Sequence, residues 1–242
     1  MATLESAIED QDIALVEELL RSTPGPSQRE LDKALAFAVD PELGLPEAVI
    51  PLFEKGAHIT ENVFLEAITR EGVELFEIFL KYGWDVNSVE FGQPALRLSI
   101  GSETSVKWLL EHGADPNITG GKYPSPLVTA ALESLSPVFD ILISHGAKLD
   151  PQALFLAMSP RGKGGIPVME YLIDHGIDIN AVRPDLGTPL HYAVTLGSKA
   201  REKLELLLRR GADRTVKNTS GVTPAELAKQ KGYLDLLDIL EG

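Results

Sequence analysis

Apolar residues recur at helical spacing in short paired runs, and the clearest pair lies between Gly187 and Asp213. Leu190, Ala193 and Val194 form one apolar face behind Thr188 and Pro189, a good N-cap followed by a residue suited to the first helical position. His191 sits three residues after Thr188, where a capping-box partner belongs, so its ring is placed to satisfy the turn. Gly197 ends that helix. A second carries Leu204, Leu207 and Leu208, gathers Arg209 and Arg210 in its last turn, and stops at Gly211. Each predicted helix is shorter than the about 12–15 residues at which an isolated helix becomes marginal in water, so neighbours must stack on both.

The same pattern runs along the chain. Residues 3–22 read as a helix pair built on Leu4, Ala7, Ile8, Leu15, Val16, Leu19 and Leu20, and Ser22 to Ser27 as a proline-bearing connector. Helix-ending glycines then recur at Gly56, Gly83, Gly113, Gly146, Gly176 and Gly211. From glycine to the buried alanine of the next first helix is 17 residues for Ala130, Ala193 and Ala228, and 11 for Ala67 and Ala157. The variation therefore falls in connections, while the packing positions stay apolar. Thr223 to Glu226 repeats the capping box.

T-P-L-H-x-A at Thr188 to Ala193, with Gly211-Ala212-Asp213 after the second helix, resembles the ankyrin repeat, whose period is about 33 residues. The resemblance implies an all-α ankyrin-repeat solenoid of about eight helix pairs with short or missing β-hairpin fingers. One domain over 1–242 is expected, with 1–24 as N-terminal cap, 27–213 as repeats and 222–242 as C-terminal cap. The two short intervals mark missing fingers. The others place Glu90 and Phe91, Lys122 and Tyr123, Arg183 to Leu186 with Asp185 among them, and Asn218 to Ser220 at finger tips. Similarity to the family implies a protein-binding module that uses these tips and the concave face of the first helices. Thr69, Arg70, Ile100, Leu132, Glu133, Tyr192, Thr195 and Leu196 are its candidate contacts.

Composition adds limits. No apolar run approaches a membrane span of about 18 residues, and MATLESAIEDQD is acidic where a secretory signal is basic and then apolar. With no cysteine there is neither a disulfide nor a thiolate site. The expectation is a cytoplasmic or nuclear monomer, not secreted and with no membrane attachment. The net charge of −14 is confined to residues 1–121, with 22 acids against 8 Lys and Arg, while residues 122–242 balance at 14 of each. That field disfavours nucleic acid. It leaves two readings of the N-terminal half, a solvated acidic face or a surface that steers a basic partner.

Candidate chemistry is sparse. His112, His145 and His175 each precede a closing glycine, one position in three successive repeats. Stacked helices about 8–10 Å apart do not bring such residues to one metal. A ring there meets helix-end carbonyls instead, and no metal or cofactor is expected. Ser159 to Pro167, SPRGKGGIP, lacks the order and hydroxyl residue of a phosphate loop and reads as a flexible connector in which Arg161 and Lys163 are exposed cations. Trp108 matches apolar positions elsewhere and reads as packing. Trp84 takes the place of an alanine, and with Phe91 and Tyr123 it forms a candidate set of aromatic anchors, local packing being the other reading. No catalytic set is recognisable. A rival from another class, a noncanonical enzyme or accessory of a small-molecule biosynthetic pathway, would use the groove as a pocket lined by Tyr, His and acids in mutual hydrogen-bond reach.

Overall fold

The computed structural model describes residues 2–119, 124–133, 137–160 and 162–242. The finger-tip candidates Lys122 and Tyr123, and the connector's Arg161, lie outside the described residues. The chain divides into two compact units, Met1–Tyr123 and Pro124–Gly242.

Among the described residues each unit holds four helix pairs. The first holds α1 (Leu4–Glu9), α2 (Ile13–Arg21), α3 (Gln28–Ala38), α4 (Pro46–Glu54), α5 (Glu61–Thr69), α6 (Val73–Lys81), α7 (Ala95–Leu98) and α8 (Glu103–Glu111). The second holds α9 (Pro126–Ala130), α10 (Val138–Ser144), α11 (Gln152–Met158), α12 (Gly165–Asp174), α13 (Pro189–Thr195), α14 (Arg201–Arg209), α15 (Pro224–Lys231) and α16 (Leu237–Glu241). Within the second unit α9, α11, α13 and α15 pack side by side, and α1, α3 and α5 do so in the first. Within each unit the all-α pairing of short helices is what the periodicity and the resemblance imply.

Local chemistry starts and stops these helices where the pattern places them. Thr188 and Thr223 close capping boxes with His191 and Glu226, and Thr3 and Ser27 do the same at α1 and α3. The six recurring glycines all adopt left-handed φ between 88° and 93°. The residue after each returns its N–H to the helix, as Ala57 does to Leu52 (3.0 Å), Trp84 to Phe79 (2.9 Å) and Ala212 to Leu207 (2.9 Å). This backward bond satisfies an orphan carbonyl and turns the side chain after the glycine inward. That slot is buried whether it holds Ala57, Trp84, Ala114, Ala147, Ile177 or Ala212.

Among the described residues no strand forms. One bridge joins Arg183 and Gly187, and a similar turn returns Asn218 N–H to the Val222 carbonyl at 2.9 Å. Between α11 and α12 the glycine-rich connector serves a close approach rather than reach. Lys163 N–H donates to the Leu132 carbonyl at 2.6 Å, and a Cβ on Gly164 would lie 2.5 Å from the Ala131 oxygen.

Candidate binding surface

In the second unit the surface is built by one repeated choice. The first helices bury Ala130, Ala157, Ala193 and Ala228 against their neighbours. The residue just before each alanine is left half exposed, and these are Thr129, Leu156, Tyr192 and Leu227. Because the four helices pack side by side, these positions fall on one face. Tyr192 leans on buried Phe155, ring centroids 5.6 Å apart, which fixes its plane. One turn further on, Leu132 is half exposed and Thr195 is exposed. The Thr195 hydroxyl donates to the Tyr192 carbonyl at 2.6 Å.

Charged groups border this face. Glu133 pairs with Lys163 at 3.2 Å, both well exposed. At the Arg183–Gly187 turn the Arg183 guanidinium lies 5.7 Å from the centre of the Phe155 ring and pairs with Asp185 at 3.3 Å. Two expected contacts, Arg183 and Tyr192, thus converge on one buried phenylalanine. The turn itself is tied to the next one, since the Thr219 hydroxyl donates to the Pro184 carbonyl at 3.0 Å.

His191 connects this face to the turns. Its Nε2 donates to the Val222 carbonyl at 2.8 Å, so Nδ1 is the acceptor for Thr188 N–H at 3.2 Å. Burial pushes its pKa below the usual histidine value and keeps the ring neutral. His112, His145 and His175 each donate Nδ1–H to the carbonyl four residues back, at 2.7, 2.8 and 2.8 Å. Among the described residues no group of three or more His, Cys, Asp or Glu is arranged to hold a metal ion.

One aromatic expectation for the first unit, that of an exposed Trp84, needs correction. Trp84 is only 8% exposed, stacked 5.8 Å from Phe76 and edge-on to Phe79 at 6.1 Å, because the slot after a left-handed glycine faces inward. Phe91 is half-buried on Phe64, centroids 5.0 Å apart. Trp108 packs as expected, 5.6 Å from Phe76 and stacked on His112 at 3.8 Å. Of the remaining candidates Ile100 is buried, Thr69 is exposed, and Arg70 donates to the Val39 carbonyl at 2.6 Å.

The asparagines were missed. Asn87 donates to the Gly113 carbonyl at 3.0 Å and accepts from Asp115 N–H at 2.8 Å, and Asn180 accepts from Asp213 N–H at 2.8 Å. Each clamps the closing turn of the following repeat. The signal was present in the Asp-x-Asn spacing of Asp85–Asn87 and Asp178–Asn180, where the aspartate folds the turn that aims the asparagine.

A family model described as ankyrin repeats (3 copies) matches residues 127–218. The chain is similar to ankyrin repeat and SOCS box protein 11 of Danio rerio, 34% identical over 47% of this chain and 39% of that protein. It is also similar to the ankyrin repeat protein YahD of Escherichia coli (strain K12), 25% identical over 73% of this chain and 93% of that one. The crystal structure of EF0377, an ankyrin repeat protein, superposes with a TM-score of 0.61 at 25% identity, over 75% of this chain and 98% of that one. Residues 127–218 are ankyrin repeats, and the fold is that of ankyrin-repeat proteins.

The first curated relatives are longer than the stretch they share with this chain, which spans 39% and 28% of two of them. Ankyrin repeats are protein-interaction modules. The ankyrin-type scaffold thus accounts for the helix pairs, the glycine stops and the His191 cap, while the exposed side chains set upon it are this chain's own. Among the described residues no helix is long and apolar enough to cross a membrane.

Proposed function

We propose that this protein binds another protein through the first-helix face of its second unit, with the Arg183–Gly187 turn at the border. The observation that carries the reading is the row Thr129, Leu156, Tyr192 and Leu227, half exposed at the same place in four adjacent helices. A mostly apolar centre bordered by Glu133, Lys163, Arg183, Asp185 and Thr195 has the anatomy of a recognition patch. Tyr192 is the natural anchor, since its ring is held by Phe155 before any partner arrives and little side-chain entropy remains to be lost. Recognition is by a preformed surface, and no bond is made or broken.

The test is affinity capture from native lysate with wild type and a Tyr192→Ala, Glu133→Gln variant whose helix content is verified by circular dichroism. Loss of one anchor costs about 1–2 kcal/mol or more, so proteins bound through this face drop at least about fivefold in yield. Equal recovery of the same proteins by both forms removes the second unit's face as the binding site.

A further inference from the structure

The first unit holds a cavity of about 760 Å³ that the reading of the second unit does not use. It opens beside the turns that follow Gly56 and Gly83. Phe53 and Tyr82, stacked with centroids 4.9 Å apart, line it together with Trp84 and Phe91. Asp85 and Glu90, both exposed, stand on its border. Among the described residues neither carboxylate makes an ion pair and no lysine or arginine lines the space. Among the described residues His58 is the one basic-type side chain there, and its Nδ1 lies 3.6 Å from Asp32. No hydrogen bond joins Tyr82, His58 and Asp85, so the cavity lacks an assembled acid–base set.

The chemistry selects its occupant. Entry of an apolar group alone strips water from two carboxylates without return, and an anion is repelled. A side chain with an apolar stem and a cationic head satisfies both parts of the lining, the stem against the rings and the head at Asp85 and Glu90. The walls already show this affinity, since Lys81 Nζ sits 5.5 Å from the centre of the Tyr82 ring. The surrounding field has the matching sign, because residues 1–121 carry 22 acids against 8 Lys and Arg. We infer that this cavity docks a basic segment of a partner protein by receiving an arginine or lysine side chain against its aromatic lining, with Asp85 and Glu90 as its counter-ions. The inference is independent of the face proposed on the second unit.

The test titrates the full chain with a short capped peptide alternating Arg and Ala, and with its Glu–Ala counterpart. Asp85→Asn, Glu90→Gln is compared with Glu18→Gln, Glu77→Gln, which removes the same charge from exposed positions outside the cavity. The cavity variant is expected to weaken the Arg peptide about tenfold and the control by less than about twofold, since close charge pairs outweigh distant ones. Two-dimensional NMR gives a second readout: the Trp84 indole N–H, buried and without a hydrogen-bond partner among the described residues, shifts on binding while that of Trp108 holds still. Equal weakening by the two variants, an unmoved Trp84 signal at saturation, or equal binding of the Glu peptide overturns the inference. Tyr192→Ala leaves the titration unchanged, so this result stands or falls separately from the second unit's face.

Discussion

His191 holds three parts of the second unit with two ring nitrogens: the start of α13, the turn before it, and the Val222 carbonyl of the next repeat. Replacing it with alanine removes a cap and strands a buried acceptor, and the expected loss is about 2–3 kcal/mol in chemical unfolding. Its pKa is lowered in the folded state, so the unfolded chain takes up the proton first. The stability it contributes is therefore fully present above the ordinary value of 6.5 and declines as pH falls through that value and below. Thermal melts between about pH 7.5 and pH 5.5 are expected to fall more steeply for wild type than for His191→Gln. Trp84 follows different physics. As a core side chain in contact with Phe64, Phe76 and Phe79, its replacement by alanine is expected to cost about 3–5 kcal/mol of stability. His191 was legible in the sequence because Thr188, Pro189 and His191 carry a local rule. Trp84 was misread as an anchor because its size drew more weight than its slot, although the alanines in the equivalent positions already marked that slot as buried.

At the level of elements, helices were legible and connections less so. Helix starts and stops depend on neighbours within four residues, so Thr223, Glu226 and the glycine series carry their own geometry. The connector between α11 and α12 depends on a segment about thirty residues earlier, and no local rule announces that contact. Composition suggested slack, whereas Gly162 and Gly164 lie against the backbone of Ala131 and Leu132. Two alanine substitutions separate these cases. Gly164→Ala must displace the Ala131 carbonyl and is expected to cost at least about 2 kcal/mol. Gly56→Ala meets nothing within 4 Å and suffers only from its left-handed backbone, about 1–2 kcal/mol. Chemical denaturation of the two variants compares them directly, and a smaller loss for Gly164→Ala contradicts the close approach.

For the whole molecule, the repeat count and the charge asymmetry were available from the sequence, since both are sums along the chain. The proposed binding face was legible only in part. The sequence nominated Tyr192, Thr195, Leu132 and Glu133 one repeat at a time, but the row that joins Thr129, Leu156 and Leu227 to Tyr192 exists only once α9, α11, α13 and α15 lie side by side. The acid excess belongs to residues 1–121 and the apolar row to the second unit, so the two features lie in different parts of the chain. Site-specific photo-crosslinking tests the central claim most directly, with a photoreactive amino acid placed in turn at Tyr192, at Leu227 and at exposed Glu202 on α14. Positions 192 and 227 are predicted to capture the same protein from native lysate while position 202 does not. Adducts formed from position 202 and absent from 192 and 227 would contradict the first-helix face as the site of binding.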